Sequence, residues 1–290
     1  MPDKRNLHTL RLQVDELFTT AFYYHTVWLF RKWLQIHDKI MKQFISFSGG
    51  VESSTMCVLF GNKADAIFSD TGFEHDEIYK RIDLVEKWVQ NFHRADFKIH
   101  RIQAKNTLIE EIRYRKFYPS FKARFCTGDY KIKPIDKYLD KYKDEGVTLM
   151  IGLNAEEIDQ RTGNHGNKKF VNYSYPLADN GLNRAACITI LKKVGLNPEF
   201  PAYMRRGGCI GCYYKSKKEY EAMALLNPAE FKVVENLEEE IQDKREKYFS
   251  IKDGIKMREI REGVANMIFT PDEIYPTIND ATKCGVFCNR

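Results

Sequence analysis

The chain has 290 residues, of which 43% are hydrophobic and 30% are charged, and this composition is ordinary for a globular protein with a full core. Its apolar runs fall short of the roughly 20 residues that a membrane-spanning helix needs. The early stretch AFYYHTVWLF also lacks a small-residue cleavage site. We therefore expect neither a membrane anchor nor a signal peptide, but a cytoplasmic protein whose seven cysteines stay reduced. The net charge of +6 suits an anionic nucleotide as well as a nucleic acid.

Residues 8 to 41 carry apolar side chains at helical spacing, and neither proline nor glycine interrupts them. This pattern predicts one or two amphipathic helices. We expect residues 1–41 to form a helical extension that packs on the main domain or mediates contacts in a homo-oligomer.

The next part of the chain alternates between short apolar runs and segments of helix length. The runs are QFISF, DAIFS, FKIHRI and VTLMIGL, which begin at residues 43, 65, 97 and 147. This alternation predicts β-α-β units and a mostly parallel, doubly wound α/β sheet over residues 42–176. Such sheets bind ligands beyond the carboxyl ends of their strands.

The chain turns helical and charged after NYSYPLAD, and we expect residues 177–290 to form a helical cap. GLNRAACITILKKVG and NPAEFKVVENLEEEIQDKREKYF both read as helices, and a loop with glycines and cysteines separates them. The change of character near residue 176 does not by itself define an independent domain.

The stretch SFSGGVESST, residues 46–55, lies between a predicted strand and a predicted helix. Glycines there let the backbone approach an anion, serine hydroxyls can donate hydrogen bonds to it, and the helix end attracts negative charge. The stretch lacks the lysine and the spacing of a Walker A loop. It predicts a phosphate site, and the alternative is an ordinary glycine-rich turn.

Further polar residues follow the predicted strands. Asp70 and Thr71 end the second strand, where they could bind ribose or adenine or could simply form a turn. Arg161 can pair with a phosphate or sulfate in a bidentate manner. Arg205 and Arg206 directly precede a cysteine pair, a placement that suits an anionic substrate held close to sulfur chemistry.

The cysteines fall into two close pairs and three single residues. CIGC contains Cys209 and Cys212, CGVFC contains Cys284 and Cys288, and Cys126 stands among basic residues that we expect to lower its pKa. Cys57 and Cys187 occupy apolar helical positions and are predicted to lie in the core. The other five allow three alternatives, namely an iron–sulfur cluster, a tetrahedral zinc site or free thiols.

Three stretches together resemble a known family. SFSGGVESS is similar to the PP-loop of the adenine nucleotide alpha-hydrolase superfamily, with Glu52 in place of the usual aspartate. SDTGFEHDEIY and IGLNAEEIDQR resemble two segments of the phosphoadenosine phosphosulfate (PAPS) reductase family, with Asn154 where an arginine is common. The resemblance extends over about residues 42 to 288. It implies a bound adenine nucleotide, contacted by Ser46, Ser48, Gly49, Gly50, Val51, Glu52, Ser53, Ser54, Asp70, Thr71 and Gly152.

The same resemblance bears on the cysteines. Family members with a four-iron cluster bind it through a Cys-Cys pair and a later C-x-x-C, so Cys126, Cys209 and Cys212 carry over as ligands. Cys288 could supply the missing fourth ligand, or the cluster could have only three protein ligands and an open iron. KCGVFC is similar to the family's E-C-G-[IL]-H segment and nominates Cys284 as the catalytic thiol.

These features lead to a sulfonucleotide reductase as the first functional hypothesis. The Cys284 thiolate would attack the sulfur of an adenylyl sulfate, and an external dithiol such as thioredoxin would then release sulfite. Arg161, Arg205 and Arg206 would neutralise the charge on the leaving phosphate.

The alternative hypothesis is ATP-dependent sulfur transfer to a nucleic acid, of the tRNA thiolation or DNA phosphorothioation type. The well-formed SGGVESS suits the pyrophosphate of ATP. RYRKF and KSKK, with Tyr114, Phe117 and Tyr118 interleaved, could then form a nucleic-acid surface. A nucleotide-binding module without catalytic activity is a third possibility.

Overall fold

The structure, a computed structural model, describes residues 41–161, 168–242, 249–252 and 254–266. The predicted N-terminal helices, Cys284 and Cys288 lie outside these ranges, and so does the side chain of Arg161.

The centre of the molecule is a five-stranded sheet in which every strand is parallel to its neighbours, in the order β3-β2-β1-β4-β5. The strands are β1 Lys42–Phe47, β2 Asp65–Asp70, β3 Ile99–Gln103, β4 Val147–Met150 and β5 Val171–Ser174. The first four confirm the predicted strands and the doubly wound α/β class. We did not predict β5, because its sequence VNYS contains a single aliphatic residue.

Helices connect the strands of the first half. They are α1 Val51–Phe60, α2 Asp76–Phe92, α3 Leu108–Arg115, α4 Phe125–Thr127 and α5 Lys133–Leu139. A π-helical turn, Gly128–Ile132, joins α4 to α5, and a 3-10 turn, Asp140–Tyr142, follows α5.

The described residues after β4 are mainly helical. The helices are α6 Ile158–Arg161, α7 Pro176–Asp179, α8 Arg184–Lys193, α9 Lys217–Leu226, α10 Pro228–Glu240 and α11 Met257–Ala265. The two predicted helices of this half correspond to α8 and α10. Across residues 41–266, excluding the undescribed gaps, no helix is long and apolar enough to cross a membrane.

Hydrophobic residues cover both faces of the sheet, as a doubly wound fold requires. Ile45 and Phe68 join the larger core cluster, and their strand neighbours Phe44 and Ile67 join a smaller cluster on the opposite face. Cys57 and Cys187 are fully buried in the larger cluster, which confirms the prediction that they are core residues.

The strand order shows where along the sheet a ligand is expected to bind. β1 pairs with β2 on one side and with β4 on the other, so the chain diverges between the carboxyl ends of β1 and β4. In open α/β sheets ligands bind in the crevice at this switch point. The predicted phosphate loop directly follows β1 and therefore lies at that crevice.

Candidate nucleotide and thiol site

The phosphate loop, Ser48–Gly50, leads straight into α1. Gly49 has a φ of 74°, and a side chain there would meet Ile78 Cγ2 at 3.2 Å, so this position needs glycine. Gly50 is extended instead, with a φ of −79° and a ψ of 178°. Within the described part of the chain no side chain caps the N-terminus of α1, so its first N–H groups are available to an anion.

Two serines order this loop internally. The Ser53 hydroxyl accepts a hydrogen bond from the Ser48 backbone N–H at 3.2 Å and lies 3.2 Å from Ser48 Oγ. Ser54 is fully buried, and within the described structure its hydroxyl has no hydrogen-bond partner. Ser48 is exposed, so its hydroxyl is the one that can turn toward a ligand.

Glu52, in the first turn of α1, is engaged within the protein. Arg184 Nη1 lies 2.5 Å from Glu52 Oε1, and Asn154 Nδ2 donates to the same oxygen at 3.4 Å. Gly152 approaches so closely that an added Cβ would lie 3.4 Å from Ser53 N. Glu52 therefore joins the loop after β4 to the phosphate loop, and Arg184 is a partner that sequence reasoning missed.

The loop that carries Arg205 and Arg206 passes over the phosphate loop. A Cβ on Gly207 would lie 3.6 Å from Ser48 O and 3.7 Å from Gly50 N. Arg205 is exposed, and the Arg206 guanidinium lies 5.3 Å from the centre of the Tyr214 ring. The structure thus brings both predicted arginines to the same edge as the phosphate loop.

Asp70 and Thr71 make the contacts of a turn. Asp70 Oδ1 accepts hydrogen bonds from Gly72 N at 2.7 Å and from Tyr79 Oη at 2.8 Å. Thr71 is fully buried and donates to Glu74 Oε1 at 3.0 Å. These contacts support the turn interpretation of the two side chains over direct nucleotide binding.

The CIGC loop docks on the segment that follows β2. Cys209 forms an antiparallel β-bridge with Glu74, and Ile210 N donates to Phe73 O at 2.8 Å. Cys209 Sγ lies 3.5 Å from Glu74 Oε1 and 3.6 Å from Thr71 Oγ1. This bridge places the predicted metal-binding thiols at the carboxyl edge of the sheet.

Cys126 approaches the same place from α4, and the π-helical turn after it presents Lys131. The Lys131 ammonium lies 3.9 Å from Glu74 Oε1, and its charge acts on Cys126, Cys209 and Cys212. π-helical turns are rare and are frequent at functional sites. Three thiols from two distant segments therefore share one ammonium, and the Glu74 carboxylate beside it lies against Cys209. Sequence reasoning missed both Lys131 and Glu74.

The prediction that basic neighbours lower the pKa of Cys126 is wrong. Burial raises the pKa of Cys126, and Lys131 opposes this increase only in part. Burial, followed by the Glu74 carboxylate, holds the pKa of Cys209 well above its ordinary value. Both thiols are therefore protonated at neutral pH in the metal-free protein, and a bound metal would displace their protons.

Replacing Lys131 tests this electrostatic arrangement. Lys131→Met removes a charge that lowers the pKa of Cys126, so the pKa rises further and alkylation of Cys126 by iodoacetamide at pH 8 slows by several-fold. Mass spectrometry of metal-free protein measures the rate. Lys133→Met is the matched control, because Lys133 is exposed and pairs with Asp129. Equal rates for wild type and Lys131→Met would contradict this account.

Gly211 packs tightly inside the CIGC loop. A Cβ there would lie 2.0 Å from Tyr118 Oη and 2.7 Å from Phe73 Cζ. We expect Gly211→Ala to lower the free energy of unfolding by about 2 to 3 kcal/mol, because the buried rings must move. Urea unfolding measures the change. Gly263→Ala in α11, where a Cβ meets nothing within 4 Å, should leave the stability equal or raise it.

The predicted nucleic-acid surface is interrupted in the structure. Tyr118 is buried and donates to Gly211 O, and Lys215 is buried and donates to Tyr203 O at 2.7 Å. The prediction that these two residues lie on that surface is therefore wrong. Arg113 is also ion-paired, with Glu240. Tyr114 is exposed and stays compatible with the prediction.

The parallel sheet, its switch point and the loop after β1 define an α/β protein of the adenine nucleotide alpha-hydrolase type. Residues 42–166 match the family model described as the phosphoadenosine phosphosulfate reductase domain. This match supports the PAPS reductase family of the PP-loop superfamily for that segment.

Two archaeal relatives, both from Methanocaldococcus jannaschii, are similar to part of the chain. The uncharacterized protein MJ0066 is 27% identical over 130 residues, which are 43% of this chain and 25% of that protein. The uncharacterized protein MJ0973 is 33% identical over 101 residues, which are 34% of this chain and 23% of that protein. The chain thus spans about a quarter of the length of the curated relatives it matches.

Proposed function

We propose that the protein binds an adenylyl sulfate nucleotide at the carboxyl edge of its sheet and cleaves it reductively to sulfite. The observation that carries this proposal is that the phosphate loop and the loop leading into CIGC meet at that edge. Gly207 lies against the phosphate loop, and two residues later Cys209 bridges to Glu74 after β2. A nucleotide phosphate in the loop would therefore have its sulfate close to the thiols.

The phosphate loop supports the binding half of the proposal. The uncapped N-terminus of α1 and the extended backbone of Gly50 offer N–H groups to a phosphate, and Ser48 offers a hydroxyl. Arg205 and Arg206 supply positive charge at the same edge, and Arg161 follows β4 on α6. These arginines would neutralise the charge that develops on the leaving phosphate.

The chemistry divides into two displacements. The Cys284 thiolate attacks the sulfur of the sulfonucleotide, the bond from sulfur to the phosphate oxygen breaks, and the adenosine phosphate leaves with that electron pair. An external dithiol then attacks Cys284 Sγ and releases sulfite, and its second thiol closes a disulfide that frees Cys284. The dithiol is oxidised by two electrons, and the sulfonucleotide sulfur is reduced to sulfite.

The thiols fit a resident metal group of the iron–sulfur kind. Cys126, Cys209 and Cys212 converge from two segments, and thiolates are the ligands that such clusters use. Within the described ranges the three thiols do not lie within 4.8 Å of one another, which disfavours a single zinc ion bound by all three. Cys288 is the candidate fourth ligand. When bound, a cluster would supply a redox-active group beside the nucleotide edge.

Anaerobic purification should yield brown protein with about four irons per chain. Cys209→Ser should bleach the protein, because the buried Cys209 thiol lies at the β-bridge between the CIGC loop and Glu74. Cys57→Ser, which changes a buried core thiol, should leave the iron content unchanged. Iron analysis and visible absorption measure both. Colourless protein with one tightly bound zinc would contradict the iron–sulfur assignment.

A second candidate function is ATP-dependent sulfur transfer to a nucleic acid. The ordered phosphate loop favours it, since the left-handed Gly49 and the uncapped α1 would suit a pyrophosphate. In this case ATP, rather than a sulfonucleotide, would occupy the loop.

Calorimetric titration with ATP, adenylyl sulfate and its 3′-phosphorylated form distinguishes the two functions. The proposal predicts tighter binding of a sulfonucleotide than of ATP, and sulfite formation when thioredoxin or dithiothreitol is added. Tight binding of ATP alone, with pyrophosphate release and no sulfite, would favour sulfur transfer.

A further inference from the structure

We propose a second metal site, formed by His75, Glu77 and Glu230, that takes a divalent cation such as Mn²⁺ or Zn²⁺ and clips α2 to α10. One ring nitrogen of His75 and one carboxylate oxygen each from Glu77 and Glu230 lie within 4.8 Å of one another. The site contains no thiol and is separate from the cysteines assigned above. It does not depend on the proposed function.

His75 supplies the first independent observation. Its side chain is fully buried, its Nδ1 lies 2.5 Å from Glu230 Oε2, and its Nε2 has no hydrogen-bond partner in the described structure. Burial lowers the pKa of His75, and the bond to Glu230 opposes this shift only in part. The imidazole is therefore neutral at pH 7, with a lone pair available on one nitrogen.

Glu77 supplies the second independent observation. Its Oε1 accepts a hydrogen bond from Tyr203 Oη at 3.2 Å, but its Oε2 is buried with no hydrogen-bond partner among the described residues. Within the same ranges no lysine or arginine makes an ion pair with Glu77. A buried carboxylate oxygen without a donor is costly, and an unseen ion is one of its recognised explanations.

The nearby charges leave room for a cation. Lys215 is buried close to the site and acts electrostatically on His75 and Glu230, but it also faces Glu219. The charge of Lys215 is therefore divided between Glu230 and Glu219, Arg206 also acts on Lys215, and Glu77 adds a further carboxylate beside His75. A divalent cation would balance the negative charge of Glu77 and Glu230, which also face the positive N-terminal ends of α2 and α10.

The donor set indicates the class of metal. One imidazole with two carboxylates suits Mn²⁺ or Zn²⁺, whose bonds to nitrogen and oxygen are about 2.0 to 2.2 Å long. An ion bound to Nδ1 would shift the single ring proton to Nε2, the nitrogen that has no partner among the described residues, and His75 and Glu230 would separate slightly to admit the ion. Because Glu77 lies in the first turn of α2 and Glu230 in the first turn of α10, the ion would pin the helical cap to the nucleotide-binding part.

Titration of the metal-free full chain with Mn²⁺ alone, without nucleotide, tests the proposal, since Mn²⁺ prefers oxygen and nitrogen to thiolate ligands. Electron paramagnetic resonance should show one bound ion per chain, with a pulsed-resonance coupling to a single imidazole nitrogen. Glu77→Gln should weaken binding at least about tenfold. Glu239→Gln, which alters an exposed carboxylate on the same α10, should not.

Thermal unfolding provides an independent readout. Mn²⁺ should raise the melting temperature of wild type and Glu239→Gln but not of Glu77→Gln. The absence of a bound ion, a bound ion without nitrogen coupling, or equal affinity in Glu77→Gln would each overturn the site. The nitrogen coupling is measured on the wild-type protein. It therefore tests the site even if a variant fails to fold.

Discussion

Gly50→Val is expected to abolish nucleotide binding, with a loss of affinity of about a hundredfold or more, while the fold is retained. The backbone of Gly50 is extended, and among the described residues a Cβ there meets only Ser48 Oγ, at 3.5 Å, so a side chain can be attached without backbone strain. Its branched side chain would, however, occupy the space above the first N–H groups of α1, where a phosphate must approach. Calorimetric titration with each nucleotide, beside circular dichroism, measures both effects.

Two matched variants sharpen this test. Gly50→Ala adds only a methyl group at the same place and should weaken binding less than valine does. Gly49→Ala should instead reduce stability, because Gly49 is left-handed and its Cβ would press on Ile78. Wild-type affinity in Gly50→Val would show that this loop is not the phosphate site.

The parallel core could be predicted from the sequence because β1, β2 and β4 are compact apolar runs, and β3 carries two isoleucines at the place where the alternation calls for a strand. β2, for example, is buried along five of its six residues, which gives a strong local signal. β5 could not be predicted in the same way, since its sequence VNYS contains a single aliphatic residue. The pair Gly49 and Gly50 marked the phosphate loop, but adjacent glycines alone do not tell which one is left-handed.

Residues of the thiol site could be predicted only where they belong to one short sequence motif. Cys209 and Cys212 form a recognisable pair, whereas Glu74 and Lys131 reach them through a β-bridge and a π-helical turn that leave no spacing pattern. The pKa of Cys126 was mispredicted for the same reason. Basic neighbours are visible in the sequence, but the burial that outweighs them is a property of the folded chain.

Cys284→Ser is expected to abolish sulfite formation entirely, while nucleotide affinity and iron content stay at the wild-type level. A hydroxyl is a far weaker nucleophile than a thiolate but is similar in size, so the substitution removes the first displacement and little else. Sulfite release, calorimetry and iron analysis of the purified variant measure the three quantities. Cys57→Ser, which changes a fully buried core thiol, is the control for a general effect of cysteine loss.

The measurement that tests the reductase proposal most directly is mass spectrometry of the protein mixed with a sulfonucleotide in the absence of any reductant. The proposal predicts that Cys284 gains one sulfo group, because the covalent intermediate then waits for the dithiol that completes the reaction. Added thioredoxin should remove the group and release sulfite. An unmodified Cys284, together with loss of metal in Cys284→Ser, would contradict the nucleophile role and favour ATP-dependent sulfur transfer, with Cys126 as the candidate reactive thiol.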